Sequence, residues 1–202
     1  MALINTTTTG VLGTTVFADG SGDLTIQQNG AFVNKITSNG LTYRGTGSVL
    51  QVVQTVKTDT FTTTSTTYTD VTGISVSITP TSATSKILVF ANLNASVTAA
   101  DNYFAFQLVR GSTAISIGDT AGSRTVGSVG SALINGTGSG NYILPMAINF
   151  LDSPATTSAT TYKIQGLVQS GQTLVLNRSG TDSDAVFGIR TASSITVMEI
   201  SV

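Results

Sequence analysis

From Ser85 to Val97 the chain reads SKILVFANLNASV, and its apolar residues share one parity: Ile87, Val89, Ala91, Leu93, Ala95 and Val97. The other parity carries Asn92, Asn94 and Ser96. A period of two turns one set inward and the other toward solvent or a second layer, which predicts a β-strand. GISVSITP repeats the pattern with Ile74, Val76 and Ile78, and Pro80 stops it. GSVLQVVQTV, NYILPMAINFL and SSITVMEISV predict further strands, with Pro145 at a sheet edge or a bulge. Two glycine-containing loops lie between strand-like runs, Arg110-Gly111-Ser112 and Ser170-Gly171, and both predict hairpins.

The stretch FTTTSTTYTDVTG, residues 61–73, has seven threonines in thirteen residues. A disordered tract is one reading. Threonine is β-branched and favours extended backbone, however, and the tract has no proline. Phe61, Tyr68 and Val71 supply anchors. One or two strands with Thr toward water are therefore expected. Helix formers are scarce throughout and glycine punctuates the chain. From residue 46 onward some eight to ten strands follow one another. The expected fold class is all-β: an antiparallel β-sandwich of jelly-roll type with an extended N-terminal arm. The glycine-rich section at 118–141 reads as a long exposed loop.

Residues 1–45 differ. They hold strand-like pieces of three to five residues, each broken by Gly or Asn-Gly, too short to close a core alone. They are read as an attachment arm, with a boundary between Arg44 and Ser48, ahead of a domain at 46–202. The apolar residues Val11, Leu12, Val16, Phe17, Leu24 and Ile26 are the candidate contacts of that arm.

Composition narrows the function. Of 202 residues, 40% are hydrophobic, enough for a core, but only 9% are charged, against about 25% in ordinary domains. Net charge is −1 and the nine cations are scattered, so no nucleic-acid partner is expected. No apolar run approaches the roughly 18 residues that span a bilayer, so no membrane insertion is expected. The opening MALINTTTTG lacks the basic and apolar regions of a signal peptide.

Catalytic chemistry finds little footing. Without Cys or His there is no Cys–His or Ser–His–Asp arrangement and no thiolate or imidazole metal site. Paired carboxylates could serve a glycosidase. Asp101, Asp119, Asp152, Asp182, Asp184 and Glu199 are the candidates, but most lie beside Gly, Ser or Asn, where an acid usually caps a turn. ADGSGD, with Asp19 and Asp23, and TDSD, with Asp182 and Asp184, could offer oxygens to Ca²⁺ but lack the acids of an EF-hand loop. NGTGSG has no following Lys and opens no helix, so it is no phosphate loop. No catalytic residue, metal or cofactor is expected. Asn5, Asn94, Asn135 and Asn177 each begin an N-x-[ST] triplet, as chance provides in a chain this rich in Ser and Thr. Tyr103, Phe104 and Phe106 could form a sugar-stacking platform. Alternation separates Tyr103 from the Phe104/Phe106 pair, which is expected in the core.

The wording of VLQVVQTVKTDTFTTTSTTYTDVTGISVSITPTSATSKILVF, with RGSTAISIGD, NFLDSPATTSATTYKIQ and TASSITVMEI downstream, resembles a family of bacteriophage virion proteins. That family is tail-fibre-like and common in marine and cyanobacterial phages. The resemblance covers about residues 46–202. GSGDLTIQQNG in the first 45 residues looks like the attachment end of fibre-type or decoration proteins. The resemblance implies a trimeric, non-enzymatic appendage on the virion surface, assembled in the host cytoplasm. Its implied partners are other virion proteins of capsid or tail and a host surface glycan or protein. A carbohydrate-binding β-sandwich acting in receptor recognition is the alternative, and a depolymerase is the least favoured. The chain has no Trp, the residue such a sugar site would most use.

Overall fold

The protein is seen in a computed structural model that describes residues 14–18, 24–28, 31–37, 40–43, 46–99, 102–131 and 142–202, the segments before residue 46 as backbone only. It packs as two compact units divided between Leu50 and Gln51, with Ile200–Val202 in the first. No helix occurs among the described residues.

The first unit holds four antiparallel strands in meander order: β1 Thr14–Ala18, β2 Leu24–Gln28, β3 Ala31–Thr37 and β4 Gly40–Tyr43. The short pieces of the N-terminal segment thus pair with one another rather than running out as single strands. Val16 and Phe17 lie on β1 and Leu24 and Ile26 on β2, with Val16 opposite Ile26 in the register. Val11 and Leu12 lie outside the described residues, as do Asp19 and Asp23.

The second unit is the sandwich. Its strands are β5 Val49–Lys57, β6 Phe61–Thr63, β7 Thr69–Ile78, β8 Lys86–Val97, β9 Phe104–Arg110, β10 Thr113–Ile115, β11 Val129–Ser131, β12 Leu144–Asp152, β13 Thr160–Val168, β14 Leu174–Leu176 and β15 Ser193–Ile200. One sheet runs β10-β9-β13-β7, with β11 also on β9; the other runs β5-β15-β8-β14-β6, with β12 also on β8. Ala95 pairs Leu144 of β12 and Leu176 of β14. Those two strands therefore lie on opposite edges of β8, and the long strands of this sheet run β5-β15-β8-β12. The chain changes sheet at each step from β7 to β8, β9, β12, β13 and β15, the connectivity of a jelly roll.

The core lies between the sheets and follows the alternation. Ile87, Val89, Ala91, Leu93, Ala95 and Val97 are all buried, as are Ile74, Val76 and Ile78. Burying an Ile, Leu or Val side chain is worth about 1.5–3 kcal/mol, so β8 alone anchors its sheet. Phe104 and Phe106 pack edge-on with ring centroids 5.8 Å apart, while Tyr103 stays 39% exposed. In β7 the alternation slips: Val71 and Ile74 both face inward. Gly73 stands between them at φ +86°, a left-handed conformation that glycine adopts without strain, and the pairing with β13 shifts there.

Two local expectations are corrected. Ser170-Gly171 does not close a hairpin, because β13 pairs β7 and β9 whereas β14 pairs β6 and β8; the turn carries the chain from one sheet to the other. The glycine-rich section is not loop throughout, since β11 within it pairs β9. The threonine tract forms β6 and the start of β7, with Thr62, Thr64, Thr66, Thr67 and Thr72 exposed. Pro145 stands exposed on β12, which pairs β8.

Candidate functional site

With no Cys or His in the chain, its acids are the groups that could carry chemistry. Asp152 ends β12 and is buried. Arg110, at the end of β9, donates through Nη1 to both its carboxylate oxygens at 2.7 and 2.9 Å. Tyr162 of β13 donates its hydroxyl to Oδ2 at 2.7 Å. Burial, reinforced by that carboxylate, pushes the Tyr162 hydroxyl above its usual range. Asp152 is thus no turn cap but a brace between the sheets.

Glu199 of β15 is also buried. Gln51 Nε2 donates to its Oε2 at 2.6 Å, and the Thr81 amide and hydroxyl both donate to Oε1 at 2.7 Å. Burial pushes this carboxyl up, but hydrogen bonds from Gln51, Ser85 and Thr81 outweigh it and hold the group at about 2. Asp182 is taken by arginines: Arg190 Nη2 lies 2.6 Å from Oδ1 and Arg178 Nε 3.7 Å from Oδ2. Asp119 and Asp184 are exposed, and Asp101 lies outside the described residues. Among the described residues no group of three or more acids is placed to hold a metal ion.

Two places on the described surface expose large apolar side chains. The first is the loop between β14 and β15. Its base is tied down: Asn177, fully buried, donates to the carbonyls of Lys57 and Asp59, each at 2.9 Å, and accepts from Ser193 Oγ at 2.6 Å. Arg178 and Arg190 form a β-bridge above it. Its tip is apolar and exposed, with Val186 at 102%, Phe187 at 53% and Ile189 at 58%.

The second is the outer face of the six-stranded sheet. Alternation puts Val52 and Val56 of β5, Leu88 and Phe90 of β8, Leu151 of β12 and Met198 of β15 on that face, interleaved with Gln54, Asn92, Asn94, Asn149 and Thr196. Val52, Val56 and Leu151 are each more than half exposed. The outer face of the other sheet is polar, with Asp70, Ser75, Ser77, Thr161, Lys163 and Gln165. Lys163 and Gln165 both donate to Asp70, at 2.8 and 2.7 Å. Sequence reading missed both apolar surfaces. DAVFGIR has no strand period to mark it, and the second parity of β5 and β8 is visible only as a few apolar residues where polar ones were expected.

A hollow of about 600 Å³ also opens beside β9, lined by Tyr103, Ser123, Arg124, Thr125 and Ser131 among others. It is the place where an exposed aromatic ring and hydrogen-bonding groups meet.

No protein-family model matches the chain, and no curated protein matches it. Similarity is seen with solved structures of infectious bursal disease virus. For the structure of the Gx strain the TM-score is 0.41 at 11% identity, covering 90% of this chain and 52% of that one. For the VP2 subviral particle the TM-score is 0.39 at 12% identity, covering 82% and 44%. The chain spans about half the length of the chains it matches.

Proposed function

We propose that the protein is a non-enzymatic structural component of a bacteriophage virion. It forms a homotrimeric surface appendage, a fibre knob or a capsid decoration, that anchors to capsid or tail through residues 1–45. The observation that carries this reading is a jelly roll whose six-stranded sheet leaves Val52, Val56 and Leu151 more than half exposed on its outer face. Exposed apolar side chains on a sheet face are suited to burial in an assembly. The use of Asp152, Glu199 and Asp182 as internal ties supports a non-enzymatic role, and the resemblance of residues 46–202 to phage virion proteins supports the location.

The hollow at Tyr103 favours a second reading, a carbohydrate-binding sandwich that touches a host glycan. Aromatic stacking with Arg124 and hydroxyl groups around it is the chemistry such a ligand uses.

Removing residues 1–45 tests the arm. The shortened chain keeps a β-type circular dichroism signal and a cooperative thermal transition, but is not incorporated into particles. Loss of the β signal would refute the arm-plus-domain division, and normal incorporation would refute anchoring by the arm.

A further inference from the structure

We propose that the hollow beside β9 is a binding site for a sugar acid, with the carboxylate of one pyranose ring on Arg124 and a ring face on Tyr103. The site deepens the carbohydrate reading above and rests on it; the place of the protein on a virion does not enter.

Arg124, in the loop between β10 and β11, gives the hollow its character. Among the described arginines, Arg110, Arg178 and Arg190 are each tied to an aspartate. Arg124 enters no ion pair among the described residues, and Asp119, exposed in the same loop, is not placed to pair with it. A guanidinium carries five N–H donors in a planar fork. Here Nη1 donates to the Ala121 carbonyl at 3.1 Å. That bond folds the side chain back over the turn its own backbone closes, where the Arg124 amide donates to the same carbonyl at 3.3 Å. Gly122 makes the turn at φ +62°, which glycine adopts without strain. The fork is thus held in place with donors to spare, the state that takes a carboxylate two-pronged.

The rest of the lining is fixed as well. Tyr68, just before β7, donates its hydroxyl to the Val126 carbonyl at 2.6 Å. The Gly118 amide donates to the Gly127 carbonyl at 3.1 Å and the Ser128 amide to the Phe106 carbonyl at 2.8 Å. These bonds tie the loop that carries Arg124 to the sheet. Tyr103 is held through its carbonyl, which accepts from the Gln169 amide at 3.0 Å, while its ring stays 39% exposed. Ser131 is paired opposite Phe104 where β11 meets β9. A site ordered before binding loses little conformational freedom when it is filled.

The lining also selects the ligand. A pyranose has a face of C–H bonds, which sits on the negative face of an aromatic ring, and a rim of hydroxyls. Ser123, Thr125 and Ser131 line the hollow with hydroxyls that both donate and accept. Arg124 is the single charged residue of the lining. One guanidinium balances one carboxylate, whereas a phosphate monoester at about −1.5 to −2 would stay half neutralised. The volume of about 600 Å³ lies within the roughly 300–1,000 Å³ of small-ligand sites.

Saturation-transfer NMR and isothermal calorimetry on the full-length protein read the contact. The probes are trigalacturonate and sialyllactose, each as the free acid and as its methyl ester, which keeps the rings and removes the charge. At millimolar concentration and low salt, one of the acids binds about tenfold or more tighter than its ester. Arg124→Gln brings acid and ester to the same affinity, and Tyr103→Ala weakens both. Both side chains are exposed, so neither substitution moves the thermal midpoint. Equal binding of acid and ester overturns the sugar acid and leaves a carbohydrate site. Acid binding that survives both substitutions overturns the placement in this hollow. Absence of binding by every probe, acid or ester, overturns the carbohydrate reading itself, and leaves the virion location to be judged on particles.

Discussion

Asn177 stands at φ +64°, in the left-handed region, fully buried, with its side-chain amide bonded to the carbonyls of Lys57, which ends β5, and Asp59, and its side-chain oxygen to Ser193 of β15. Asparagine is among the few side chains that accept that backbone conformation. Alanine in its place would strain the backbone and orphan the carbonyls of Lys57 and Asp59. Asn177→Ala is expected to destabilise the fold by about 3 kcal/mol, read as a lower thermal midpoint, whereas a loss within about 0.5 kcal/mol would contradict the role. In sequence Asn177 showed only as the first residue of an N-x-S triplet, because its partners lie 118 and 120 positions away. Asp152 was illegible for the same reason: its neighbours Leu151 and Ser153 suggest a turn, and nothing local points to Arg110 or Tyr162.

At the scale of elements, what repeats every second residue was legible and what depends on a partner was not. The inward parity of β7 and β8 and the Arg110-Gly111-Ser112 turn between β9 and β10 follow from local pattern. Ser170-Gly171 has the same local chemistry yet joins different sheets, since a tight turn does not specify which neighbour the next strand will find. Glu199 shows an element-scale tie with a measurable consequence. It clamps β15 to β5 through Gln51 and to the turn after β7 through Thr81. Its folded value of about 2 lies below the ordinary 4.5. A depressed carboxyl contributes fully above its unfolded value, and that contribution fades as pH falls through the folded one. About 3 kcal/mol of stability is therefore expected to be lost between about pH 5 and pH 2. Denaturant titrations across that range should show the loss, and Glu199→Gln should flatten the pH dependence. An unchanged pH profile in Glu199→Gln would assign the acid sensitivity elsewhere.

At the scale of the molecule, a polar but nearly uncharged chain has folded into a sandwich with one polar outer face and one mixed outer face, on which Val52, Val56 and Leu151 stand exposed among Gln54, Asn92 and Asn149. Scarcity of charge was visible in composition, but its distribution over the two faces was not, because both sheets are written in the same Thr, Ser, Val and Ile. Under the proposed function, the exposed apolar residues of that face and of the loop tip would be covered on assembly into a particle. The proposal that the chain is a virion protein is tested most directly by immunogold labelling of intact phage particles from a culture that produces the protein. The account predicts gold on the particle surface, over the whole shell for a decoration protein or at the tail or one vertex for a fibre. Particles free of label, with the protein found only in the soluble fraction of infected cells, would contradict it.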